Sequence, residues 1–82
     1  MAPKRRSHQG DMTPRTREKI GAHIRQLRVE RQLSQAQVAD GAFTPAFISM
    51  IESGRALPSI KSLLHIARRL RVPARATLPP DL

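Results

Sequence analysis

At 82 residues without a cysteine, the chain has room for one small domain built from a few well-packed helices, and disulfides and thiolate metal sites are excluded. Fifteen Lys plus Arg against six Asp plus Glu give a formal net charge of +9. That favours a polyanionic partner such as DNA, RNA or an acidic membrane surface, although an arginine-rich composition can also follow genome base composition. No stretch approaches the ~20 apolar residues of a membrane span and the basic N-terminus has no apolar run behind it, so the expectation is a soluble, cytoplasmic protein.

Residues 1–12, MAPKRRSHQGDM, combine Pro, Gly and charge with almost no apolar content and read as a disordered basic arm. Thr13 followed by Pro14 has the form of a cap and a first-turn proline, which opens a first helix. Within it Ile20, Ile24 and Leu27 lie three and four apart on one face. Arg28, four residues after Ile24, puts a basic side chain on that buried stripe, whereas Arg17, Lys19, Arg25 and Arg31 mostly point elsewhere. Ser34 with Gln37 three residues on has the form of a capping box, so a short second helix should run from about 35 to 41, bury Val38 and Ala39, and end near Gly41.

Thr44 and Pro45 repeat the cap-plus-proline start, for a third helix over 44–53 that stops at Ser53-Gly54, where Gly can turn left-handed. On its helical wheel Ile48, Ile51 and Glu52 share one side with Phe47 at the edge, while Pro45, Ala46, Ser49, Met50 and Ser53 occupy the other. An ionised carboxylate against a core is costly unless paired, and the other charge on an apolar stripe is Arg28. The two are expected to meet, the alternative being that Glu52 frays into solvent at the last turn. RALP reads as a turn and Ser59 as a cap, with Ile60, Leu63, Leu64, Ala67 and Leu70 as the apolar stripe of a fourth helix that Pro73 ends. PARATLPPDL holds at most one weak turn, since Ala74 and Ala76 offer little to bury. The fold class is therefore all-α with four firm helices. The histidines at 8, 23 and 65 make no ligand pair at helical spacing and read as surface side chains, and no metal or cofactor is implied.

The run IRQLRVERQLSQAQVADGAFTPAFISMIESGRALPSIKSLLHIARRLRVP resembles the phage-repressor-like, or Xre-type, helix-turn-helix DNA-binding family. Its LSQ, IS-x-IE-x-G and PS-x-x-x-L-x-x-IA-x-x-L elements stand in order, and the match covers residues 15 to 78 or so. The resemblance implies a compact four- to five-helix DNA-binding domain over 13–78 followed by a tail at 79–82. In that family an Arg late in the first helix pairs with the Glu of the IE element, and those positions fall on Arg28 and Glu52. The second helix of the motif lies in the major groove while the first crosses the backbone. Carried over residue by residue, Thr44, Pro45, Ala46, Ser49 and Met50 resemble base-reading positions, and Ser34, Gln35, Ser53, Arg55 and Lys61 resemble phosphate contacts. Ser34 and Gln35 stand at a helix start, where free amides favour phosphate, but each can also serve simply as a cap. Met50 can instead fill a core gap.

Three departures from the family stand out. The link between the motif helices is one residue shorter than the common form, with Phe43 where relatives have a small residue followed by an aliphatic one. Arg71 stands where the fourth helix usually ends in Gly. Ala74 and Ala76 replace the leucines of a fifth helix that is often a dimerisation surface.

The function implied is that of a sequence-specific double-stranded DNA-binding transcription regulator, a repressor by family habit, nucleoid-associated and with the option of a homodimer on a palindromic site. A reading from another class is a protein-interaction module, an antitoxin or scaffold, which would lack sequence preference on DNA. RNA binding is weaker, because the chain has two Phe and no Tyr or Trp to stack bases. There is no Ser/His/Asp or Cys/His set, no glycine-rich phosphate loop and no carboxylate pair on one face, so an enzyme is not expected.

Overall fold

Each helix begins at a hydroxyl that accepts a bond from the backbone amide three residues on. The computed structural model describes residues 13–82, and the arm expected over 1–12 lies outside the described residues. The elements are α1 (Pro14–Glu30), α2 (Gln35–Ala39), α3 (Pro45–Glu52), α4 (Ile60–Leu70) and a closing 3-10 turn (Ala74–Thr77). Thr13 accepts from the amide of Thr16 at 3.2 Å, Ser34 from Gln37 at 3.0 Å, Thr44 from Phe47 at 3.0 Å and Ser59 from Ser62 at 3.1 Å. At α2 the box is closed, because the Ser34 amide donates back to Oε1 of Gln37 at 2.7 Å. Prolines sit in the first turns of α1 and α3, where the missing amide hydrogen costs nothing.

The helix ends are less regular. α2 stops at Ala39, two residues before the expected end, because Asp40 itself takes the left-handed conformation at φ 48. Acidic side chains of this length tolerate that region better than most. Arg71 also turns left-handed, at φ 62 and ψ 44, and the Val72 amide donates across it to the Ala67 carbonyl at 3.0 Å. The helix thus keeps the glycine-type ending with a residue whose Cβ costs about 1–2 kcal/mol there. Arginines supply a second kind of ending. Arg31 donates to the Leu27 carbonyl at 3.2 Å and to the Leu70 carbonyl at 2.6 Å, Arg69 to Gln37 at 3.0 Å, and Arg17 to Gly54 at 3.3 Å. Carbonyls near the C-terminal ends of all four helices thereby meet cations, which also suit the negative end of a helix dipole.

The core joins Ile20 and Ile24 of α1, Val38 and Ala39 of α2, Ile48 and Ile51 of α3, and Ile66 and Leu70 of α4. The stripe expected on α4 needs correction. Ile60 is 78% exposed and Leu64 49%, while Ile66 and Ala67 are buried. The inward line is Leu63, Ile66, Ala67 and Leu70, and Ile60 with Leu64 forms a second apolar line, one turn apart, that faces out. The closing turn likewise packs otherwise than expected. Its buried group is Thr77, whose hydroxyl donates to the Ala74 carbonyl at 2.6 Å, and the Ala76 carbonyl lies 2.9 Å from Nε2 of His23. Lys19 then meets Asp81 at 2.8 Å, and its hydrogen bond holds that carboxyl below the usual carboxylate range.

α1 and α3 touch through bare backbone. A Cβ at Gly21 would strike the Ile51 carbonyl oxygen and stand 2.7 Å from that of Glu52. Gly54, left-handed at φ 81, would put a Cβ 2.6 Å from Cγ and 3.0 Å from Cα of Glu18. In an ordinary helix interior Gly21→Ala would gain about 1 kcal/mol of propensity. Here overpacking against a carbonyl outweighs it, and we expect the substitution to lower stability by at least about 1–3 kcal/mol. Denaturant unfolding followed by circular dichroism gives the sign directly, and a more stable variant would contradict this packing.

Candidate nucleic-acid interface

α3 is held by its one acid. Arg28 donates from Nε to Oε2 of Glu52 at 2.6 Å and from Nη2 to Oε1 at 3.0 Å, a bidentate pair with side-chain exposures of 13% and 4%. The remaining Arg28 nitrogen, Nη1, donates to the Leu33 carbonyl at 2.9 Å, and Nε2 of Gln35 donates to Oε1 of Glu52 at 3.1 Å. Pairing with Glu52 raises the Arg28 pKa above its already high ordinary value, against the opposing pull of burial. Glu52 therefore binds α1, the α1–α2 link and α2 to the last turn of α3, and it does not fray.

With Ile48, Ile51 and Glu52 buried and Phe47 half-buried, the opposite face of α3 is free. Thr44, Pro45, Ala46, Ser49 and Met50 are all exposed, Met50 by 42%, so the methionine does not fill the core. Ser34, Ser53, Arg55 and Lys61 are exposed as well. Ser53 donates its hydroxyl to the Met50 carbonyl at 3.1 Å, whereas no side-chain hydrogen bond or ion pair engages Arg55 or Lys61 among the described residues. Gln35 differs from the rest of that group. It is half-buried, and its side-chain amide donates to Glu52.

One basic residue beside this face escaped the sequence reading. Arg25, exposed on α1, lines a shallow groove of about 180 Å³ with Gln35, Ser49, Glu52 and Ser53. The signal was available, because stepping back three residues on both helices from the Arg28–Glu52 pair leads to Arg25 and Ser49. The histidines also need correction. His23 and His65 are half-buried, and each bonds the backbone of a distant element through Nε2, while His8 lies outside the described residues. Among the described residues no group of three His, Cys, Asp or Glu could hold a metal ion.

The short helix α2, the tight turn and α3 lie within the span of a family profile. The profile described as helix-turn-helix covers residues 24–76. The chain belongs to the helix-turn-helix family. Within it the chain is of the phage-repressor-like, Xre type, with α2 and α3 as the motif. A solved structure, that of the restriction-modification controller protein C.AhdI from Aeromonas hydrophila, is similar at a TM-score of 0.71 and 26% identity, over 74% of this chain and 94% of that one. No curated protein matches the chain. A helix-turn-helix protein of this type is a DNA-binding transcription regulator. No described helix is long and apolar enough to cross a membrane.

The bond pattern around Glu52 ranks three substitutions. Arg28→Ala and Glu52→Ala should each cost about 3–5 kcal/mol, since each leaves the other charge buried and unpaired. Gln35→Ala removes one bond to a charged group and should cost about 1.5–3 kcal/mol. Guanidinium melts of the three, with the Arg28/Glu52 double-mutant cycle, test the ranking; a cycle without coupling would contradict it.

Proposed function

We propose that this helix-turn-helix protein is a sequence-specific regulator of transcription, a repressor that reads the major groove of double-stranded DNA with α3 and holds the flanking phosphates through Ser34, Gln35, Ser53, Arg55 and Lys61. The observation that carries the reading is a division of charge. The outer face of α3, from Thr44 to Met50, is exposed and uncharged, while Arg25, Arg55 and Lys61 are exposed around it. Cations hold phosphate whatever the sequence, whereas discrimination comes from groups that meet base edges. Pro45, Ala46 and Met50 bring no hydrogen-bond donor, so Thr44 and Ser49 are the polar readers and the rest of the discrimination is apolar. In the major groove the apolar feature of a base pair is the thymine methyl.

The regulatory role is supported by the likeness to a protein whose printed name is that of a restriction-modification controller. Repression follows most simply from occupying promoter DNA, and the protein then works in the cytoplasm on the nucleoid. A homodimer on a palindromic site is supported by the outward apolar line of α4 together with Leu57 in the loop before it. Leu57, Ile60 and Leu64 are exposed by 42%, 78% and 49% next to Lys61. Three side chains fall well short of the roughly 800 Å² per partner of a standard interface. Two copies of formal charge +9 also repel, so the pair forms on DNA rather than before it.

Selection from random duplexes is the deciding experiment, and the expected product is a site with thymines beneath Ala46 and Met50. Failure to enrich any sequence would leave the protein-interaction reading in its place. On an enriched site, replacing those thymines with uracil should weaken specific binding by about 1 kcal/mol or more per position and leave nonspecific binding unchanged. Met50→Ala should remove most of that sensitivity. Arg55→Ala should weaken thymine and uracil sites alike.

Salt dependence checks the phosphate set separately. The log-log slope of affinity against salt should approach about −0.9 per phosphate held, and Arg55→Ala or Lys61→Ala should each reduce its magnitude by about one contact. Slopes identical to the wild type would remove those residues from the interface.

A further inference from the structure

Besides Arg69, which donates to the Gln37 carbonyl, α4 reaches across the helix-turn-helix through His65. Nε2 of His65 lies 3.1 Å from the Val38 carbonyl and 3.0 Å from that of Ala39, the last two residues of α2. Both partners are acceptors, so Nε2 carries the proton and donates to the pair. The same ring makes a T-shaped contact with Phe43 in the turn, with centroids 5.2 Å apart and planes at 84°. Phe43 in turn lies against Phe47 in the first turn of α3, at 5.3 Å and 44°. One imidazole thus touches the end of α2, the turn and, through a single phenyl ring, the start of α3.

The turn itself supplies little stiffness. Between Ala39 and Pro45 it contains two successive left-handed residues, Asp40 and Gly41, and one backbone bond of its own, from the Ala42 amide to the Ala39 carbonyl at 2.9 Å. The Ala39 carbonyl also accepts that bond, whereas the Val38 carbonyl relies on His65. Edge-to-face contact is directional, so the imidazole determines where Phe43, and with it Phe47, can lie.

We propose that His65 is the positioning residue of the helix-turn-helix, setting the angle at which α3 presents Thr44 to Met50 and so determining sequence discrimination without touching DNA. This rests on the DNA-reading function proposed above. Phosphate contacts from long cationic side chains survive a small rotation of α3, but short Thr, Ala and Ser side chains at base edges do not. Loss of the imidazole therefore lowers discrimination selectively.

Three variants separate its two contacts. His65→Gln keeps an N–H donor and loses the ring, His65→Phe keeps the ring and loses the donor, and His65→Ala loses both. Affinities for the selected duplex and for a random duplex are measured at a temperature where circular dichroism shows each variant fully folded. The specific-to-random ratio should fall at least tenfold in His65→Ala and by less in the other two, with random-duplex affinity and salt slope as in wild type. If His65→Ala does not fold, the smaller fall expected of the Gln and Phe variants carries the test. An unchanged ratio in the folded variants overturns the proposal and leaves His65 as a contributor to stability alone. A wild-type chain that prefers no duplex sinks the DNA-reading function instead, and residual dipolar couplings then decide the positioning role. A changed angle between α2 and α3 in His65→Phe supports it, and an unchanged angle overturns it.

Discussion

The last turn of α3 is placed by the carboxylate of Glu52, which accepts from Arg28 on α1 and Gln35 on α2. Eight residues are too few to hold a helix in water on propensity alone, so α3 is helical because its surroundings make it so. Its apolar residues, Ile48 and Ile51, supply burial, but apolar contact alone fits more than one orientation. The Arg28–Glu52 fork fits one, since two parallel bonds between planar groups fix distance, plane and direction together. A buried ion pair is weak evidence of added stability, because desolvation offsets much of the attraction. What it does here is exclude alternatives. Any rotation of α3 about its axis that turned Met50 inward would pull Glu52 away from both Arg28 and Gln35.

Much of this was legible in the chain, and for a physical reason. Caps are local, so Thr13, Ser34, Thr44 and Ser59 could be read from three- and four-residue patterns, and all four accept the expected amide. A charge that interrupts an apolar stripe is visible by periodicity, as at Arg28 and Glu52. The split of α3 into a buried and an exposed face follows from the same rule. The roles assigned to Thr44, Met50 and Arg55 rest on family resemblance and not on periodicity.

What was not legible is mostly long-range. On α4 two apolar lines overlap, and nothing local says whether Ile60 and Leu64 or Ile66 and Ala67 face the core. His23, His65, Arg17 and Arg31 bond backbone carbonyls some forty residues away on average, and a carbonyl has no side-chain identity to leave in the sequence. The same arginines modify the meaning of the net charge. Arg17, Arg28, Arg31 and Arg69 all donate to groups within the fold, so part of the basic excess that suggested a polyanion serves the protein's own carbonyls and the buried Glu52.

The glycine contact between α1 and α3 has a consequence for how tolerant this fold is of change. Where helices meet through a layer of side chains, their separation follows whichever residues fill that layer. At Gly21 there is no such layer, and the gap is set by the radii of main-chain atoms that every sequence shares. The core isoleucines can be exchanged for other apolar residues of similar volume while this one spacing acts as a fixed gauge. Drift in the hydrophobic residues is thereby uncoupled from the placement of the helix they support.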